Sequence, residues 1–203
     1  MERFDKIFFG FVIGFIFPTM IGLLSVIIWF YTDKQETHAL IYALTGLLCG
    51  LLIDLMFLKR WINKRYVLPI WFVIGIYILY NIGLFGFFMG FPVFNVLLGL
   101  LAGYYFGNRI CSNKIQQDKH SKLINQVSLF TGLIMIFICI SSGFIALVGS
   151  GVGYDIQGML GLGFEVTKPM IWSITLIGGF VLILLQILLT RITMIKTIKN
   201  NAR

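Results

Sequence analysis

Charged positions along this chain fall in short clusters, and between them the sequence is apolar on every helical face. Residues 7–32, 66–108, 123–154 and 169–190 contain no Asp, Glu, Lys or Arg, and residues 39–58 contain only Asp54. Continuous apolarity without period-two alternation excludes a transmembrane β-barrel and predicts helices. At about 1.5 Å per residue, roughly 20 residues cross a hydrocarbon layer of about 30 Å. The first and last stretches each suit one crossing. The 43 residues from Tyr66 to Asn108 would make a helix of about 64 Å, so they must fold back. Gly86-Phe-Phe-Met-Gly90-Phe-Pro92 marks the reversal, because two glycines and a proline interrupt the helical pattern there. Six spans follow: Ile7 to Trp29, Ala39 to Leu58, Val67 to Phe85, Phe91 to Asn108, Ile124 to Val148 and Met170 to Thr190. Pro18, in mid-span, is expected to kink the first.

Composition agrees with this division. Hydrophobic residues make up 59% of the 203 positions and charged residues 12%, about half the charge of a soluble domain; an aqueous fold has no interior large enough for that apolar load. The reading is an all-α polytopic membrane protein, a single transmembrane domain over 1–203. The three cysteines, Cys49, Cys111 and Cys139, follow no metal-ligand or disulfide spacing.

The sign of the clusters orients the bundle. Arg3 and Lys6, then Lys59, Arg60, Lys64 and Arg65, then Arg109, Lys114, Lys119 and Lys122, and finally Arg191, Lys196, Lys199 and Arg203 all fall on one side. That accounts for fourteen of the sixteen basic residues. Lys34 and Lys168 fall on the other, beside Asp33, Glu36, Asp155 and Glu165. Positive-inside bias then predicts both termini in the cytoplasm, with the chain in the cell membrane. The basic loops suit anionic lipid headgroups, and the net charge of +8 needs no nucleic acid to explain it. The first span has no small-residue cleavage site after it and is expected to stay as a helix.

Inside a membrane, information lies in polar, Gly and Pro positions. Depth arithmetic places Asn81, Asn95, Ser141, Ser142, Thr45 and Thr175 in the outer half of the bundle, with Tyr77 among the nearby aromatic residues. Two explanations compete: hydrogen bonds between helices, and an outward-facing pocket that takes a small solute. The segment Val148-Gly-Ser-Gly-Val-Gly-Tyr-Asp-Ile-Gln-Gly-Met-Leu-Gly-Leu-Gly-Phe-Glu-Val-Thr-Lys-Pro169 combines many glycines with apolar side chains, and predicts an interfacial or re-entrant outer loop between helices five and six. Asp54 is the one acidic residue within a span, and three readings compete for it: an ion pair with Arg109 or a loop Lys, a proton- or cation-coupling role, and an ordinary interfacial position. Gly10 with Gly14, Gly46 with Gly50, and Gly99 with Gly103 form small faces four residues apart, where helices can approach closely.

Six spans, both ends inside and an outward pocket under a loop resemble, in architecture, the membrane-embedded substrate-capturing subunits of energy-coupling-factor vitamin transporters, with no binding motif of theirs matched residue by residue. The resemblance implies capture of a small, weakly charged solute and a cytoplasmic face that meets a partner subunit. The competing expectations are a non-catalytic structural, assembly or lipid-interacting membrane protein, and an intramembrane enzyme. Catalysis has little material: His38 and His120 fall in loops on opposite sides, and neither has a ligand set or nucleophile at its own depth. No cofactor or metal is expected.

Overall fold

The computed structural model describes residues 2–32, 36–88, 90–148, 157–158, 161, 163 and 166–201. Among these residues the structure is helical, without strands. The chain forms two compact units, Met1–Pro69 and Ile70–Arg203.

The first unit pairs α1 (Glu2–Gly14) and α2 (Ile16–Thr32) with α3 (Glu36–Asn63). α1 and α2 together give one apolar run, Asp5–Thr32, long enough to cross a membrane. They are separated at Phe15, and Pro18 is the cause. Its ring occupies the place of an N–H, so the Gly14 carbonyl loses its i+4 donor and the helix is interrupted one turn upstream. The Thr19 hydroxyl donates to the carbonyls of Phe15 (2.6 Å) and Ile16 (3.0 Å), at the interruption and the start of α2. α3 runs antiparallel to both. A Cβ on Gly10 would lie 3.2 Å from Ile62 and one on Gly14 3.3 Å from Leu58; a Cβ on Gly46 would lie 2.7 Å from the Ile21 carbonyl, and one on Gly50 would strike the Pro18 backbone. Two of the expected glycine faces are therefore seams, and the interrupted helix seats its proline on a residue with no side chain.

In the second unit, α4 (Ile70–Phe87) leads through a reversal to a 3-10 segment (Pro92–Val96), then α5 (Leu97–Ser112), α6 (Gln117–Val148) and α7 (Lys168–Asn201). The reversal falls where the glycines and proline place it. Gly90 adopts φ +84°, a region open to glycine without strain, and its N–H donates to the Phe85 carbonyl at 2.8 Å. α5 is short and half buried, and it lies parallel to α7. A Cβ on Gly99 would sit 2.9 Å from the Thr190 hydroxyl, one on Gly103 2.6 Å from the Thr190 carbonyl, and one on Gly107 2.8 Å from Thr197. α6 runs antiparallel to α7, with Gly132 against Ile187 and Gly143 against Thr175. Val96, Met135 and Cys139 form the apolar core, with Leu182, Ile183 and Leu189 packed on it.

Among the described residues five helices are long and apolar enough to cross a membrane: Asp5–Thr32, His38–Asn63, Ile70–Phe87, Gln117–Leu147 and Lys168–Asn201. The outward faces are apolar, with Leu176, Ile177, Phe180, Leu184 and Leu188 all exposed, while Asn81, Asn95, Thr131, Gln186 and Thr190 are at most 1% exposed. Polar groups inside and apolar groups outside is the distribution that lipid requires of an integral membrane protein. The stretch expected as a fourth span, Phe91 to Asn108, is divided into the 3-10 segment and α5. α3, α6 and α7 run past their apolar stretches, because their ends carry exposed Lys59 and Arg60, Lys119 and Lys122, and Lys196 and Lys199. The outer-loop reading of residues 149–168 falls mostly outside the described residues.

Candidate functional site, a buried amide and hydroxyl chain

The second unit carries a line of buried polar side chains drawn from α4, the 3-10 segment, α6 and α7. Tyr77 and Asn81 stand one turn apart on α4 and therefore share a face. The Asn81 amide donates back to the Tyr77 carbonyl at 2.9 Å. Across from it, the 3-10 segment presents Asn95, whose Nδ2 donates to the Asn81 backbone carbonyl at 2.8 Å and to its side-chain oxygen at 3.2 Å. The tighter winding of the segment after Pro92 brings Asn95 to this position. Asn95 Oδ1 is buried and accepts no hydrogen bond.

Gln186 of α7 continues the line. Its amide orientation follows from its neighbours: with Nε2 toward the Val96 carbonyl (3.0 Å), Oε1 accepts from the Tyr77 hydroxyl (2.7 Å) and from the Gly99 N–H (3.2 Å). The reverse orientation would leave Nε2 facing a backbone donor. Gln186 therefore caps the first turn of α5 from a neighbouring helix, at a place where backbone N–H groups lack intrahelical partners. One turn further on, the Thr190 hydroxyl meets the Thr131 hydroxyl of α6 at 3.0 Å. Each has one hydrogen and a carbonyl of its own helix within reach, Gln186 at 2.9 Å for Thr190 and Ser128 at 3.0 Å for Thr131, so one hydroxyl donates across the seam and the other donates to its own helix. The Tyr77 ring rests on Phe130, with centroids 5.7 Å apart.

Asn81, Asn95 and Tyr77 are thus brought together. Ser142 stands apart from them and ties α6 to the chain reversal, donating to the Gly90 carbonyl at 2.7 Å. Ser141 is exposed and bonds its own helix at the Phe137 carbonyl (2.9 Å). Thr175 is half-buried, its methyl group facing Gly143. Thr45 lies in the first unit, exposed and bonded to the carbonyls of Ile41 (2.7 Å) and Tyr42 (3.0 Å) on its own helix. Arg109, in the second unit, donates to the Tyr105 hydroxyl at 3.1 Å. Asp54, in the first, is 4% exposed, and neither of its oxygens has a hydrogen-bond partner.

Sequence reasoning passed over Gln186 and Thr131. For Gln186 a signal exists: it is the only amide in the uncharged run 169–190, and an amide among leucines in a membrane helix has to find partners. Thr131 gives no such signal, since a threonine hydroxyl can return to its own helix.

The line contains donors and acceptors but no group that titrates near neutral pH, so its chemistry is hydrogen bonding. Among the described residues no three His, Cys, Asp or Glu side chains gather as a metal-ligand set. Comparison of the chain with family models, curated proteins and solved structures finds no match.

Proposed function

We propose that this chain is a transport protein of the cell membrane that captures a small, weakly charged polar solute at the Asn81–Asn95 pair. The observation that carries this reading is Asn95 Oδ1. An acceptor buried in an apolar interior without a donor costs about 1–3 kcal/mol, and a solute N–H or O–H, or a water that it displaces, would remove that cost. Its position beside a helix interruption supports the same reading, because irregular backbone at membrane depth is tolerated where it is packed in protein or lines a cavity. Tyr77 and Gln186 would flank the solute, and Ser142 would hold the reversal in place.

In this reading α5 is the sixth crossing. Its 16 residues span about 24 Å, and the 3-10 segment adds about 10 Å. Within each unit the helix directions gather most of the basic residues at one end, which favours both termini in the cytoplasm. Those basic ends are placed to meet anionic headgroups and, if capture is passed on, a cytoplasmic partner subunit.

A second reading, in which the amides only hold helices together for a structural or assembly role, draws on the saturation of the line, since every other amide atom of Asn81, Asn95 and Gln186 in it is paired. The test is a thermal-shift screen of small polar compounds on the purified protein, followed by direct binding to N81L and N95L. Solute capture predicts folded, monodisperse variants whose affinity falls at least tenfold. Equal affinity in wild type and both variants would move the function to the structural reading.

A further inference from the structure

The first unit holds a second polar group that the amide line does not use. Asp54 lies within the crossing His38–Asn63, roughly 9 Å along α3 from Arg60. It is 4% exposed, and both of its oxygens are buried without a hydrogen-bond partner. Leu58, one turn on and hence on the same face, packs against Gly14, and Asp54 Oδ2 lies 3.8 Å from where a Gly14 Cβ would be. The carboxylate therefore meets the chain at the α1–α2 interruption, on a residue with no side chain to keep it away. The same residue carries the carbonyl whose i+4 donor Pro18 removes.

Among the described residues of the first unit, the charges around it do not neutralise it. α2 contains no Asp, Glu, Lys, Arg or His. On α1, Lys6 is exposed, and Asp5 is bonded to Tyr66 and lies 3.8 Å from Arg65. On α3, Lys59 and Arg60 are exposed, and five and six positions on they face away from the side that Asp54 and Leu58 share. His38 stands at the far end of the helix. An ionised carboxylate left alone in such surroundings is among the most costly groups a protein can bury, so one positive charge has to accompany it.

We propose that Asp54 and the backbone at the α1–α2 interruption bind one monovalent cation, a proton or a sodium ion. The two share one chemistry, a single positive charge held by a carboxyl oxygen beside a backbone carbonyl. A proton would leave a neutral acid able to donate to a carbonyl such as that of Gly14. A sodium ion would use the same oxygens as ligands, in the manner of interrupted membrane helices. The inference does not depend on the solute reading, because its test contains no solute.

The unfolding midpoint of the purified protein in detergent is measured in two series: rising NaCl against choline chloride at fixed pH, and pH 5 to 9 at fixed sodium. Wild type is expected to move by several degrees in one series. D54N, isosteric and uncharged, is expected to lose that shift, while effects that do not involve Asp54 remain in both proteins. A shift with sodium that D54N lacks identifies the ion as sodium, and a shift with pH that D54N lacks identifies it as a proton. Midpoints that are flat in both series, or that move equally in the two proteins, overturn the proposal. If D54N does not fold, D54E, which keeps the acid but displaces it by one methylene, should need a different sodium concentration or pH for half the shift; an unchanged half-point overturns the proposal as well.

Discussion

Asn95 grips Asn81 twice, its Nδ2 donating to the backbone carbonyl at 2.8 Å and to the side-chain oxygen at 3.2 Å. The pair locks the 3-10 segment to α4 just past the point where the chain reverses. Its remaining oxygen is left as an acceptor in need of a donor, and the proposed capture rests on that atom.

Gln186 is expected to matter more than any hydroxyl in the line. Q186L would leave the Tyr77 hydroxyl, the Gly99 N–H and the Val96 carbonyl without a side-chain partner, a loss of about 2–4 kcal/mol. T131V removes one interhelical hydroxyl contact, for which about 0.6 kcal/mol is typical in membranes. Reversible unfolding in mixed micelles measures both. A Q186L loss no larger than that of T131V would contradict the cross-helix cap.

Glycines in the seams and outside them should respond in opposite directions. G103A brings a methyl group within 2.6 Å of the Thr190 carbonyl, a backbone atom that moves only if α5 and α7 separate, so a loss of about 1–3 kcal/mol is expected. Nothing lies within 4 Å of the corresponding position at Gly83, and G83A should be neutral or stabilising by up to about 1 kcal/mol through helix propensity. The same unfolding assay checks the order.

Tyr66 gives a pH dependence with a definite sign. It lies outside the crossings, donates to Asp5 at 3.0 Å and stacks edge-on with Phe9. Burial raises its pKa above the ordinary 10.0, and the Asp5 carboxylate adds to the rise while Arg65 opposes it. A raised pKa means that the folded state holds its proton longer than the unfolded state. The stability linked to it is complete below about pH 10 and is lost as pH rises from there toward the folded pKa. Wild type should therefore lose stability above pH 10 more steeply than Y66F, while Y66F is weaker by about 1–3 kcal/mol at pH 7. Parallel curves would remove Tyr66 as the titrating group.

Sidedness can be read by labelling. On a background with Cys49, Cys111 and Cys139 replaced by Ala, cysteines placed in 33–38 or 150–168 should react with an impermeant reagent in intact cells, and cysteines at Asn63 or Gln117 should react only after lysis. The opposite pattern would invert the protein.

Much of the fold was legible because glycine and proline act locally. Gly90 and Pro92 mark the reversal, Pro18 marks the interruption of the first crossing, and Gly46, Gly50, Gly99 and Gly103 mark the seams. The site was less legible for a geometric reason. A rise of about 1.5 Å per residue gives the height of a side chain, whereas its azimuth has to come from an amphipathic stripe, and helices apolar on every side have none. Height alone grouped Thr45 and Ser141 with Asn81 and Asn95, although their hydroxyls turn back to their own helices. It also passed over Gln186, whose partners come from α4, the 3-10 segment and α5. The division of Phe91 to Asn108 was hidden for a related reason, since Pro92 is compatible with the start of either an α or a 3-10 turn.

The parallel seam between α5 and α7 bears on how the protein is made. Residues that meet across it are far apart in sequence: Asn108 and Asn201, bonded at 2.7 Å, are separated by 93 positions. At about 5–20 residues per second, the ribosome needs about 5–20 s to synthesise that length. For that interval Gly99, Gly103 and Gly107 have been synthesised while their partner helix does not yet exist. α5 is short and, in the finished protein, mostly covered, so until α7 follows its glycine face is an unfinished surface. The arrival of α7 completes it, which makes α7 the step on which assembly of the second unit waits.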